Sequence, residues 1–153
     1  LGMHRKVQLI VSGGIRTGAD VAKAMALGAD AVAIGTAALI ALGDNDPKWE
    51  EEYQKLGTTA DAYDDWHEGR DPAGITTQDP ELSKRFDPVL GGRRLKNYLK
   101  VMTLEAQTIA RACGKNHLHN LEPEDLCALS IEAAAMAGVP LAGTNWIPGR
   151  NGF

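Results

Sequence analysis

Two apolar runs, each ending in a glycine turn that opens a helix, constrain this chain more than any other feature. The first is Val7-Gln8-Leu9-Ile10-Val11, followed by Ser12-Gly13-Gly14-Ile15-Arg16-Thr17-Gly18-Ala19-Asp20. The second is Ala31-Val32-Ala33-Ile34, followed by Gly35-Thr36. Nearly continuous apolar runs of this length predict buried strands of the parallel kind. Thr17-x-x-Asp20 predicts a capped helix start. Val21, Ala24, Met25 and Leu27 are its expected buried side, and Gly28 its stop. Thr36 is placed to cap a further helix through Leu42. The unit is strand–helix–strand–helix, and two parallel strands alone cannot bury both faces. A sheet is therefore expected to continue elsewhere, and the chain reads as the C-terminal portion of a longer polypeptide.

The turns carry chemistry. Glycine lets a backbone approach a phosphate and adopt conformations other residues avoid. N–H groups at a helix start attract an anion. Two such turns side by side can hold one phosphate, and (β/α)8 barrels often hold theirs after the last two strands. The candidate phosphate-binding residues are Ser12, Gly13, Gly14, Ile15, Arg16, Gly35 and Thr36. Arg16 reads equally as a phosphate contact and as a surface residue.

At 153 residues the chain is shorter than a whole barrel, which takes about 250. The expected fold class is α/β: the C-terminal part of a TIM (β/α)8 barrel, its last two βα units, followed by a mainly helical extension. The expected divisions are 1–43 for the barrel units, 44–92 for an irregular and helical insertion, and 93–153 for the extension. Within the insertion, helix is expected over 48–56, a further turn or two over 58–66, and a short helix over 80–86, with 71–80 irregular. Two amphipathic helices follow. Residues 93–112 bring Leu95, Tyr98, Leu99, Met102, Ala106, Ile109 and Cys113 to one face; residues 123–137 turn Leu126, Leu129, Ala133 and Met136 inward. The tail, 141–153, is expected to be extended.

A net charge of −4 argues against nucleic acid or an anionic membrane as partner. Cys113 and Cys127 fit neither a zinc site nor a redox pair and are expected on buried helix faces. Reduced cysteines and the lack of a long apolar segment point to the cytoplasm. No metal site is expected. His117-x-His119 lacks a third ligand and is expected in a loop, bonding backbone or solvent. Asp64, Asp65, His67 and Glu68 read as a solvated loop more readily than as acid–base groups or metal ligands. Trp49 and Trp66 read as cover for a barrel end rather than flanks of a ligand site.

The paired turns resemble the phosphate-binding end of FMN-dependent barrels. Gly35-Thr36-Ala37-Ala38-Leu39-Ile40-Ala41-Leu42-Gly43 narrows the match, as does Pro72-Ala73-Gly74-Ile75-Thr76-Thr77-Gln78-Asp79-Pro80-Glu81-Leu82 with Lys84-Arg85-Phe86. Both look like the end of the FMN barrel of the glutamate synthase large subunit, and together the similar stretches run from Val7 to about Phe86. That family usually carries three cysteines between the two stretches as ligands of an iron–sulfur cluster. Residues 44–71 hold no cysteine here, and Asp71 stands where the last would sit. The resemblance therefore implies FMN as cofactor and no iron–sulfur cluster from this segment. Residues 114–126 and 142–149 are similar to a branch of FMN-binding glutamate synthase-like proteins. That branch includes the glutamate synthase-like component of methylamine–glutamate N-methyltransferase, also called N-methylglutamate synthase.

By resemblance, the whole enzyme forms glutamate from 2-oxoglutarate and a glutamine-derived amino group. A second implied reading moves methylamine onto a glutamate skeleton. The implied partners are a 2-oxo acid or amino acid substrate and glutaminase-like or electron-transfer subunits. No catalytic residue is assigned, because the groups that bind the flavin ring and the 2-oxo acid are expected on other strands. A 2-hydroxy-acid oxidase would need a histidine near the strand end, and none lies between His4 and His67. A non-catalytic interaction module made from part of a barrel, docking through 93–112 and 123–137, is the remaining alternative.

Overall fold

The computed structural model describes residues 6–59 and 69–150. The chain divides into two compact units, Leu1–Ala33 with Met102–Phe153, and Ile34–Val101.

The first unit holds the sheet. Strand β1 (Ile10–Ser12) pairs in parallel with β2 (Ala31–Ala33), in the register Ile10↔Ala31, Val11↔Val32, Ser12↔Ala33. Helix α1 (Gly18–Ala26) crosses between them, so the strand–helix–strand order expected from the sequence forms. The strands are shorter and wetter than expected. Ile10 is 66% exposed, and Val7 and Leu9 also face solvent, because β2 is the only strand paired with β1 among the described residues. The buried side of α1 is made by Gly18, Ala22, Met25 and Ala26, whereas Leu27 is exposed. Small residues there allow close packing: Ala22 and Ala26 form a core with Ala110 and Leu121, flanked by Ile109, Cys113, Leu118 and Leu126.

Helix α5 (Pro88–Ala112) begins earlier than the expected position 93. Asp87 accepts from the N–H groups of Val89 and Leu90, and Pro88 occupies the first helical position. Met102, Ala106 and Ala110 are buried, Leu95, Tyr98, Ile109 and Cys113 are half-buried, and Leu99 is exposed.

The single helix expected over 123–137 is instead two elements. A 3-10 turn (Pro123–Asp125) is closed by the Glu122 N–H donating to Asp125. After an extended stretch, α6 (Ile131–Ala137) starts at the Ser130 cap. Pairing breaks the helix: the Ala128 N–H donates to Pro140 O and the Ala142 N–H to Ala128 O, both at 2.8 Å. The inward residues change accordingly. Leu129 is 91% and Met136 89% exposed, Ala133 is exposed, Leu126 is half-buried, and Ala128, Ala134 and Val139 form the local core. Cys127, expected to be buried, lies exposed on the extended stretch. The tail turns back rather than running straight, with the Leu141 N–H donating to Trp146 O.

The second unit contains α2 (Thr36–Leu42), a 3-10 turn (Pro47–Trp49), α3 (Glu50–Lys55), α4 (Pro80–Ser83) and the first part of α5. Gly43 ends α2 at φ 113°, a left-handed conformation that suits glycine. Most of the helical turn expected over 58–66 lies outside the described residues.

Candidate functional site

The first glycine turn leaves β1 at Ser12, whose register partner is Ala33 of β2. Gly13 and Gly14 take φ of 96° and 70°, and a Cβ on either would meet nothing within 4 Å. Glycine is thus required by the backbone conformation and not by lack of room. Ser12, Gly13 and Gly14 are exposed, and Ile15 is half-buried. An apolar groove of ≈ 420 Å³ lies beside the turn, bordered by Leu9, Val11, Ile15, Lys23 and Leu27.

The start of α1 is already furnished with anions from the chain itself. Asp20 Oδ2 accepts from the N–H of Arg16 at 3.0 Å and of Thr17 at 3.1 Å. The Asp20 N–H donates to the Thr17 hydroxyl, completing the capping box read from the sequence. These bonds, the Arg16 N–H foremost, hold the Asp20 carboxyl below the usual carboxylate range. The Gly18 N–H donates to Glu105 Oε2 at 2.6 Å, across 87 residues of sequence. Gly18 is there because nothing larger fits: a Cβ would strike Met102 O and lie 2.5 Å from Ala106 N. Among the described residues, the N–H groups of Gly14 and Ile15 meet no acceptor. Two unfilled donors on a left-handed glycine turn fit a phosphate oxygen.

In the second unit, Gly35 caps α2 with φ −125° and ψ −88° and supplies no side-chain cap. Its carbonyl accepts from the Ala38 N–H at 2.8 Å. Thr36 is exposed at the first helical position.

Sequence reasoning missed the most elaborate polar centre in that unit. Asp71 is fully buried, and its carboxylate accepts from the N–H groups of Ala73 (3.0 Å), Ile75 (2.8 Å) and Thr76 (2.8 Å). It also accepts from the hydroxyls of Thr76 (3.2 Å) and Tyr53 (2.7 Å). Burial pushes this carboxyl up, but the Thr76 N–H, the Tyr53 hydroxyl and the N–H groups of Ile75 and Ala73 outweigh it. The carboxyl is therefore held below its ordinary value. The buried Tyr53 hydroxyl also lies 2.9 Å from Asp44 Oδ1, and burial with the two carboxylates pushes the phenol far up. Arg85 bonds Pro72 O and Glu52 and stacks on Trp49 at 4.9 Å. The short Asp-Pro-Ala-Gly run is the local signal for this loop.

His117 caps a 3-10 turn (Leu118–Asn120), and the His119 N–H donates to His117 Nδ1. His119 Nε2 lies 3.1 Å from Asp30 O, so this pair bonds backbone as expected. Asp64, Asp65, Trp66, His67 and Glu68 lie outside the described residues. No group of three or more His, Cys, Asp or Glu among the described residues is placed to hold a metal ion. No helix among them is long and apolar enough to cross a membrane.

The family model of a conserved region in glutamate synthase matches residues 1–47 and 61–116. A glutamate synthase large subunit-like protein of Rhizobium meliloti is 86% identical over all 153 residues, which make up 35% of that relative. An archaeal glutamate synthase [NADPH] of Methanocaldococcus jannaschii is 42% identical over 78% of the chain and 20% of its own length. The ferredoxin-dependent glutamate synthase 1, chloroplastic/mitochondrial, of Arabidopsis thaliana is 31% identical over 78% of the chain and 6% of its own. The chain thus spans about a third or less of the length of these relatives. No solved structure matches it.

Proposed function

The chain belongs to the glutamate synthase family, and from that premise we propose that it forms the cofactor-phosphate end of an FMN-dependent barrel. The protein it serves makes glutamate from 2-oxoglutarate and a glutamine-derived amino group. The observation that carries this reading is the pair of unfilled N–H groups at Gly14 and Ile15, on a turn that follows a parallel strand. Ser12, Gly13, Gly14, Ile15 and Arg16 are proposed to hold the FMN phosphate. Gly35 and Thr36 are proposed as further phosphate contacts on their sequence alone. The parallel pairing of β1 with β2 and the exposed apolar residues around β1 support a place in a larger (β/α)8 barrel.

When bound and reduced, FMN would supply hydride to the imine formed at the α-carbon of the 2-oxo acid. This chain's part is to fix the phosphate, so that the isoalloxazine ring is held in register with the acceptor. Partner subunits that deliver the amino group or electrons belong to the same proposal. The names of the relatives support it, since they include a large subunit-like protein and NADPH and ferredoxin enzymes.

A second reading, transfer of methylamine onto a glutamate skeleton, is favoured by Asp71. It stands where the resemblance implies a cluster cysteine, and its carboxylate is consumed by loop N–H groups.

Absorbance of the purified intact protein tests the proposal. Visible flavin absorbance, with FMN released on denaturation, is the expected result. A colourless protein that FMN does not reconstitute overturns it. Activity with glutamine against methylamine as nitrogen donor separates the two readings.

A further inference from the structure

A phenol has one proton to donate. The Tyr53 hydroxyl nevertheless lies between two carboxyl oxygens of the second unit, 2.7 Å from Asp71 Oδ1 and 2.9 Å from Asp44 Oδ1. Asp44 follows α2, Tyr53 is in α3, Asp71 heads the 71–77 loop, and all three are buried. Burial and the two acidic neighbours keep the phenol protonated. Its single proton satisfies only one of the two contacts.

That proton goes to Asp71. The other contacts of this carboxylate are the N–H groups of Ala73, Ile75 and Thr76 and the Thr76 hydroxyl, so donors surround it and it carries the charge. The 2.7 Å contact has the length of a charge-assisted bond from a hydroxyl. The 2.9 Å contact lies outside that range and within the range of neutral hydroxyl bonds.

We propose that Asp44 is a carboxylic acid in the folded protein at neutral pH, donating its own proton to the Tyr53 oxygen while Tyr53 donates to Asp71. The three side chains then form a clasp that ties the 71–77 loop to α3 and to the segment after α2. The clasp opens as pH rises, because an ionised Asp44 puts two carboxylates on one phenol. Charges on the neighbouring elements act both ways. Lys48 of the 3-10 turn pairs with Asp46 at 3.3 Å, and Arg85 pairs with Glu52 of α3 at 2.9 Å. Arg94 of α5 stands against Gly43, with Nη1 3.0 Å from where a Cβ would lie. Asp46 and Glu52 favour the proton on Asp44, and Arg94 opposes it.

Infrared spectra of the intact protein and of Asp44→Asn test this. A protonated carboxyl has a C=O stretch that a carboxylate lacks. The unmodified protein is expected to show one at neutral pH that Asp44→Asn removes. Asparagine keeps a donor for the Tyr53 oxygen, so the variant is expected to fold and to protect the Ile75 and Thr76 N–H groups from exchange as before. A proton held in the folded state and released on unfolding makes stability fall as pH rises above about 3.9, the reverse of the Asp71 effect. The urea midpoint of Asp44→Asn should therefore gain on that of the unmodified protein between about pH 5 and about pH 9.

A band unchanged by the substitution, or a variant midpoint that does not gain with pH, overturns the proposal. Should Asp44→Asn not fold, Tyr53→Phe removes the oxygen that accepts the proton. The band then shifts or vanishes if Asp44 is the acid, and a band left in place overturns the proposal.

Discussion

Replacing Asp71 by asparagine should be among the most damaging isosteric changes available in this chain. The carboxylate uses both oxygens as acceptors: Oδ1 takes the Ala73 N–H and the Tyr53 hydroxyl, and Oδ2 takes the Ile75 and Thr76 N–H groups and the Thr76 hydroxyl. An amide has one acceptor oxygen. Kept at the Oδ2 position, it leaves its own NH2 facing the Ala73 N–H, and Tyr53 must turn to Asp44. Two charge-assisted bonds are lost, each of about 1.5–3 kcal/mol, less what Tyr53 regains. The expected loss is about 3 kcal/mol for Asp71→Asn and more for Asp71→Ala, a large share of a typical total of about 5–15 kcal/mol. Urea unfolding at neutral pH measures it, and proteolysis near 72–79 should quicken in step. A loss under about 1 kcal/mol for Asp71→Asn, with the loop still protected, would show that the carboxylate does not organise this loop.

The same group sets an acid limit. Its folded pKa lies below the unfolded value, so its stabilisation is fully present above about pH 3.9 and is lost as pH falls through the folded pKa; Asp71→Asn should flatten that acid limb in pH-dependent urea midpoints. Gly18→Ala puts a Cβ against Met102 O and the Ala106 N–H, and should cost about 1–3 kcal/mol by thermal unfolding. Gly14→Ala, at φ 70°, strains the turn without a steric contact, and should weaken FMN more than riboflavin in fluorescence titrations. Arg85→Ala removes the bonds to Pro72 O and Glu52 and the stack on Trp49, and should cost about 1 kcal/mol in the same unfolding assay.

What is legible in the sequence is local. Thr17-x-x-Asp20 announces the α1 capping box, and Asp79-Pro80 announces the cap of α4, where Asp79 accepts from the N–H groups of Glu81 and Leu82. Asp87-Pro88 carries the same signal for α5, but Gly91-Gly92, just ahead of position 93, masks it. Gly91 packs closely inside the helix: a Cβ there would lie 2.5 Å from the Phe86 ring, which would have to shift. The split of 123–137 is not legible, since apolar spacing continues through Ser130 and the break comes from pairing with Pro140 and Ala142. The glycine turn at Gly13-Gly14 is legible in the sequence, whereas the bond that takes the Gly18 N–H is not, because Glu105 arrives from 87 residues away. Asp71 shows both cases: its turn has a local signature, while its burial depends on Tyr53, 18 residues earlier.

A crystal structure of the intact protein with FMN tests the central claim most directly. The account predicts phosphate oxygens within about 3.2 Å of the Gly14 and Ile15 nitrogens. A flavin phosphate held away from this turn would contradict it.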